Sequence, residues 1–337
     1  MSLKIFYNQG VGIEFEGKRI LLDPEIETKT DLIFVSHAHF DHIQNIESVT
    51  PKISSLATKD LIEHRTGVEI INPINFDYFN FGKLILKQLN SGHIVGSTSL
   101  LMEAKNKKIF YTGDICDRHR FNLKAAVVPK SDIMILESTF GKEEYLFPPV
   151  VEVIEKSINW IVEQMESGYS VALLGYPLGK AQIITKISEI FNIPIIVFDT
   201  IFEINEICRK HGFELRTQLQ YSKYTDFIKN EKFITIFPNS VKYVNFLKSM
   251  RTKTPIKIAA FSGWAIDENY KQQMNVDETF PLSDHADFNG LLKLVKQSDP
   301  EIVYTVHGFK ENLAKTIAER LGINAVPLND GDSFSFL

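Results

Sequence analysis

The stretch Ser36-His37-Ala38-His39-Phe40-Asp41-His42 constrains this chain more than any other. Four potential metal ligands fall within six residues, directly after the apolar run Leu32-Ile33-Phe34-Val35. That run reads as a short buried strand, so the ligands lie at its C-terminal end and in the loop beyond. Extended backbone points residues i and i+2 the same way, which lets His37 and His39 grip one ion together. Asp41 and His42 follow the bend and are free to face a second ion. Neutral imidazoles mixed with carboxylates suit Zn²⁺ or a similar first-row metal. A histidine-rich surface loop is the alternative, but this motif needs several particular residues in one place.

The order of elements predicts two domains, one inserted in the other. Short strands are expected at Lys4–Tyr7, Gly12–Phe15 and Arg19–Leu22, then at 32–35, Lys83–Leu89, Ser99–Ala104, Lys108–Tyr111 and Ile133–Leu136. Helices are expected to open at Ile43–Ser48 and to span Thr58–Arg65. This is an αββα layering. After Pro148-Pro149 an amphipathic helix, Val150–Glu166, begins a regular alternation of strands and helices that runs to Ile256–Phe261. Such a rhythm predicts a mostly parallel sheet with helices on its faces. The expected boundaries are 1–144, 145–280 and 281–337, with the last segment returning to the first domain.

Composition narrows the function. The chain has 337 residues, 44% hydrophobic and 23% charged, which predicts a sizeable core. The start shows no long apolar h-region, and no apolar run reaches transmembrane length, so neither a signal peptide nor membrane association is expected. Cys116 and Cys208 form no CxxC pair, which points to a reducing, cytoplasmic compartment. A net charge of −5 argues against a general electrostatic nucleic-acid binder, although bound dications would offset acidic ligands.

Other candidate ligands stand at strand ends. His93 follows one strand and His307 another, while His285 sits at a helix start in Ser283-Asp284-His285-Ala286-Asp287. Asp23, Asp114 and Glu137 also end strands, and Gly113 permits a close backbone approach beside Asp114. His64, His119 and His211 sit among charged residues and read as solvated. One ion can take His37, His39 and His93. The other can take Asp41, His42 and His307, with Asp114 bridging both. A water or hydroxide between cations about 3.5–4 Å apart is a nucleophile at neutral pH and suits in-line attack on a phosphodiester. His285 is then free to protonate the leaving oxygen, oriented by Glu137, and Asp23 to anchor a ligating histidine. Asp41 counts among the catalytic candidates as well as the ligands. Gly179 and Lys180 open a helix after a strand, an arrangement that can hold a substrate phosphate. An ordinary strand–helix turn is the alternative there.

These residues resemble a known family. His37-x-His39-x-Asp41-His42, then His93 and Asp114, resemble the motifs of the metallo-β-lactamase superfamily, and Asp23 resembles its first motif. Glu137, His285 and His307 resemble motifs A, B and C of the β-CASP nuclease branch, which carries an inserted domain between motifs A and B. The resemblance covers essentially the whole chain. It implies an α/β fold: a metallo-β-lactamase αββα sandwich with an inserted α/β β-CASP domain. It also implies two zinc ions, with manganese as an alternative, and cleavage of single-stranded RNA or DNA in the cleft between the domains. A histidine at motif C, here His307, resembles RNA-cutting members. Gly175–Gln182 and Ser283–Asp287 resemble a short subgroup described either as mRNA 3′-end processing factors or as DNA-ligase-associated exonucleases. A repair DNA exonuclease therefore stays open, as does a homodimer. A small-ester or thioester hydrolase is disfavoured, because it needs neither the insertion nor a positioned acid.

Overall fold

Short strands separated by tight turns build the first unit as two sheets. The computed structural model describes residues 3–26, 29–70, 73–74, 76, 78–224, 232–251 and 254–336. The first sheet has the strand order Ser333–Phe336, Leu3–Tyr7, Val11–Phe15, Lys18–Leu22, Leu32–Phe34, Lys52–Ile53, Pro73–Ile74. The second has the order Asn324–Pro327, Ile302–Val306, Ile133–Glu137, Lys107–Tyr111, Thr98–Ala104, Leu84–Asn90, Tyr78–Phe81.

Alternation along these strands divides their side chains between two cores. Ile5, Ile13, Ile20 and Phe34 of the first sheet meet Leu86, Leu100, Met102, Ile109 and Ile135 of the second. The other face of the second sheet, with Phe110, Met134 and Leu136, is covered by Leu291, Val295, Leu313 and Ile317 from helices Phe288–Ser298 and Lys310–Leu321. Each such Leu or Ile contributes roughly 1.5–3 kcal/mol on burial. That core allows the loops at the strand ends to be irregular and to carry polar side chains.

The second unit is built on one sheet, in the order Leu219–Gln220, Ile195–Val197, Ile234–Pro238, Ser170–Gly175, Ile256–Phe261, Glu278–Phe280. All its described pairings are parallel. The apolar runs are buried on both faces, as a parallel sheet flanked by helices requires. Its helices include Val150–Glu166, Lys180–Ser188, Asp199–Lys210 and Val241–Met250.

The contact division assigns Met1–His119, Lys124–Tyr145 and His285–Leu337 to the first unit, and Arg120–Leu123 with Leu146–Asp284 to the second. The boundary expected at 280/281 thus falls four residues later, and Arg120–Leu123 is an excursion with no counterpart in the expectation. Ile43–Ser48 does not open a helix. A 3-10 turn, Phe40–His42, is followed by further turns up to the strand Lys52–Ile53. No helix among the described residues is long and apolar enough to cross a membrane.

Candidate active site

Both sheets of the first unit contribute strand C-termini to one cluster. Asp23 follows Lys18–Leu22, and His37 and His39 come just beyond Leu32–Phe34. His93 comes after Leu84–Asn90, Asp114 after Lys107–Tyr111, and His307 directly after Ile302–Val306, while Glu137 is the last residue of its strand. The two sheets meet here, since Thr98 N–H donates to the Ser36 carbonyl at 2.9 Å. Gly113, at φ +51°, makes the approach feasible, because a Cβ there would lie 2.7 Å from the Ser36 Cβ.

His37, His39, His93 and Asp114 form one compact ligand group, each offering an atom within 4.8 Å of the others. Asp114 Oδ2 lies 3.4 Å from His37 Nε2 and 3.3 Å from His93 Nε2. His93 Nε2 lies 3.1 Å from His39 Nδ1. A tetrahedral ion with bonds of 2.0–2.1 Å has ligand–ligand edges of about 3.3 Å. These separations therefore fit such an ion. His37 Nε2 is buried and has no hydrogen-bond partner, which a lone pair aimed at a cation explains. Burial, above all, lowers the His37 imidazole, and burial followed by the nearby His285 holds His93 well below the ordinary histidine value. Both shifts favour the neutral imidazole, the form that ligates.

The other oxygen of Asp114 faces the opposite way. Oδ1 lies 3.4 Å from His42 Nε2, which is 3.7 Å from the exposed Asp41 carboxylate. The His307 ring centroid is 5.7 Å from that of His42. Asp114 thus lies between His37 and His93 on one side and His42 on the other. Burial would raise its pKa, but His42, His285 and His37 outweigh it and hold the carboxyl well below the usual range. Burial likewise opposes charge on His42, yet Asp114 and Asp23 outweigh it and raise that imidazole well above its ordinary value.

Asp23 sits behind the ligands. Its Oδ2 lies 2.9 Å from His42 Nδ1 and accepts hydrogen bonds from Ser36 Oγ at 2.6 Å and Tyr111 OH at 2.9 Å. Oδ1 accepts from Ser36 N–H at 2.7 Å. With an acceptor at Nδ1, loss of the Nε2 proton to a bound cation would leave the His42 lone pair on Nε2, facing Asp114 and Asp41. His307 has φ +60°, and Ser138 Oγ lies 2.7 Å from both the Val306 and His307 carbonyl oxygens. Gly308 continues the left-handed turn, and a Cβ there would come within 2.3 Å of the Ser138 carbonyl oxygen. A tight, specified turn therefore aims His307.

His285 forms a separate pair with Glu137. Its Nδ1 lies 2.9 and 3.1 Å from the two carboxylate oxygens. Glu137 is buried, and also accepts from Ile115 N–H at 2.8 Å and Thr139 Oγ1 at 2.5 Å. Arg118 Nη2 donates to the His285 carbonyl at 2.8 Å. Nδ1 is held by Glu137, and Nε2 lies 3.9 Å from Asp114 Oδ2.

All the proposed ligands, and Asp23, Glu137 and His285, belong to the first unit. Gly179 and Lys180 belong to the second, and their polar groups are engaged within it. Gly179 N–H donates to Gln182 Oε1 at 2.6 Å, and Lys180 Nζ pairs with Asp284 Oδ2 at 2.7 Å. Asp284 Oδ1 in turn accepts from Arg120 Nη1 at 2.8 Å. This buried triad escapes sequence reading, since nothing local marks Arg120 as the partner of a residue 164 positions away. Ser36, Tyr111 and Thr139 were also missed, although all three stand beside strand-end carboxylates. Of the remaining histidines, His64 and His119 are exposed and His211 is half-buried.

Comparisons with known proteins bear on the family. Residues 273–327 match the Zn-dependent metallo-hydrolase RNA specificity domain. An RNase J-like protein of Methanocaldococcus jannaschii is 24% identical, over 88% of this chain and 89% of its own length. A protein of Opitutus terrae named Probable DNA ligase is 28% identical over 85% of this chain, which spans only 28% of that relative's length. A crystal structure of a protein of unknown function from Enterococcus faecalis V583 has the same fold, with a TM-score of 0.71, 13% identity and full coverage of both chains. The His/Asp cluster has the donor set of a metal site, and the chain is similar to zinc-dependent metallo-hydrolases of the metallo-β-lactamase superfamily, β-CASP branch.

Proposed function

We propose that this chain is a metal-dependent nuclease that hydrolyses phosphodiester bonds of single-stranded nucleic acid, with RNA as the first substrate. One observation carries the reading: the two oxygens of Asp114 face separate histidine groups, and the Glu137–His285 pair stands beside them without being needed as ligands. His37, His39, His93 and Asp114 would hold one ion, and Asp41, His42, His307 and Asp114 a second, zinc by donor type and manganese as the alternative. Bound ions supply an activated water and positive charge at the phosphate.

The chain's own residues do the rest. Asp23 and Ser36 fix the rings of His42 and His37 from behind, so the ligands are ordered before substrate arrives. Glu137 accepts a hydrogen bond from Nδ1–H of His285 and orients the ring, which leaves the Nε2 proton for the departing sugar oxygen. A phosphodiester with an alkoxide leaving group needs that proton. The RNA preference rests on His307 at motif C, on the RNA specificity domain match and on the RNase J-like relative. Single-stranded DNA is the second reading, favoured by the relative named Probable DNA ligase.

End-labelled RNA and DNA of identical sequence, incubated with protein loaded with Zn²⁺ or Mn²⁺, test the proposal. RNA is expected to be cut, and the chelator-treated protein to be inactive. A one-nucleotide product would indicate exonuclease action and a ladder endonuclease action. Cleavage of neither strand with Zn²⁺, Mn²⁺ or Mg²⁺ would remove the nuclease reading.

A further inference from the structure

Phe40 has no place in the chemistry described above, yet it stands between two of the ligands. Its neighbours His39 and Asp41 both carry ligand atoms, and adjacent Cα atoms are about 3.8 Å apart. A large aromatic side chain in that position would ordinarily be packed away. Phe40 is instead 60% exposed.

It is exposed but not loose. The Arg65 guanidinium lies over the ring, 4.0 Å from its centroid. Arg65 comes from the last turn of the helix Leu56–Thr66 and its Nη1 donates to the Ala38 carbonyl, inside the metal loop itself. The cation therefore covers one face of the ring and ties the helix to the loop that presents it. At 60% exposure, much of the rest of the ring meets solvent. A flat, supported, half-open aromatic surface is what a nucleobase stacks on. Loss of ring exposure to a base also removes apolar surface from water, while Arg65 adds positive charge beside the strand.

We propose that Phe40, backed by Arg65, is a base-stacking subsite that holds the nucleotide flanking the cleaved phosphodiester. The inference rests on the nuclease reading. A phosphate bound at the metal site that His39 and Asp41 help to form would lie beside Phe40, the residue between them, where its attached base could stack on the ring. Stacking tolerates any base and either sugar, so the subsite would position the strand without selecting its sequence.

The test measures binding of fluorescein-labelled single-stranded RNA and DNA to metal-loaded His285→Ala protein, which holds the strand without processing it efficiently. Phe40→Ala, added to that background, is expected to weaken binding about tenfold, as loss of one aromatic–base stack does. Phe40→Trp is expected to stay within about twofold. An abasic residue beside the bond that the wild type cuts should cost about tenfold with Phe40 present and almost nothing further with Phe40→Ala. Metal content and the circular dichroism spectrum should be unchanged, because the ring is outside the core. Equal binding by Phe40→Ala, or independent losses from the residue and the base, would overturn the subsite while leaving the nuclease reading intact. A wild type that neither binds nor cuts either strand would overturn both.

Discussion

His285→Ala is expected to slow cleavage of an oligonucleotide by about 10²–10⁴-fold, the usual contribution of a positioned general acid. The same variant should cleave bis(p-nitrophenyl) phosphate within severalfold of wild type. The leaving group separates the two results. A sugar alkoxide departs poorly unless protonated, whereas p-nitrophenolate leaves as the anion. His285 is a half-buried ring whose Nδ1 is held by Glu137 at 2.9 Å, so on the proposed reading Nε2 carries the proton that is donated. His285 is not one of the four residues His37, His39, His93 and Asp114, so the metal held by that group should not change. Equal losses on both substrates would mean that His285 supports the site's architecture and does not supply the proton.

The second large effect is on stability. Asp284 is 2% exposed at its side chain, between Arg120 at 0% and Lys180 at 8%. All three belong to the second unit. Removing one partner of a buried ion pair costs about 3–5 kcal/mol, because the remaining charge stays desolvated. Asp284→Ala removes the carboxylate from two cations at once. We expect the chemical-denaturation midpoint of the second unit to fall by an amount equivalent to at least that figure, followed by tryptophan fluorescence from Trp160 and Trp264, which both lie in that unit. A change below about 0.5 kcal/mol, as for an ordinary surface substitution, would show that the triad is solvated. The same triad bears on Lys180 as a phosphate ligand. Its ammonium already has a carboxylate partner, and a phosphate would have to compete with Asp284 for it.

How legible the site was in the sequence follows from what each residue needs. His37, His39, Asp41 and His42 share one short stretch, and their grouping is local. Asp23, His93, Asp114, Glu137 and His307 could be picked out because each ends an apolar run, and the C-termini of strands in stacked sheets come to one edge. The partners of Asp23 follow from no local pattern, since Tyr111 lies 88 residues from it. The Arg120–Asp284 pair is likewise visible only in the folded chain. The strands Lys52–Ile53, Pro73–Ile74 and Leu219–Gln220 are two residues long, too short for an alternation to register. Asn324–Pro327 ends in a proline and lies at a sheet edge, where a missing N–H is tolerated but the strand signal is weak. The expected helix at Ile43–Ser48 failed for a different reason. Its apolar residues serve to bury the back of the metal loop, with Ile43 and Ile46 in the core, and not to form a helical stripe.

The most direct test of the account is the number of metal ions bound per chain, measured by elemental analysis after loading with Zn²⁺ and removal of the excess. The wild type is expected to hold about two, since Asp114 presents one oxygen to each of two histidine groups. Asp114→Ala should lose the bridge and retain markedly less than one ion. Wild-type protein that binds no metal under these conditions, or an Asp114→Ala variant that binds as much as the wild type, would contradict the account.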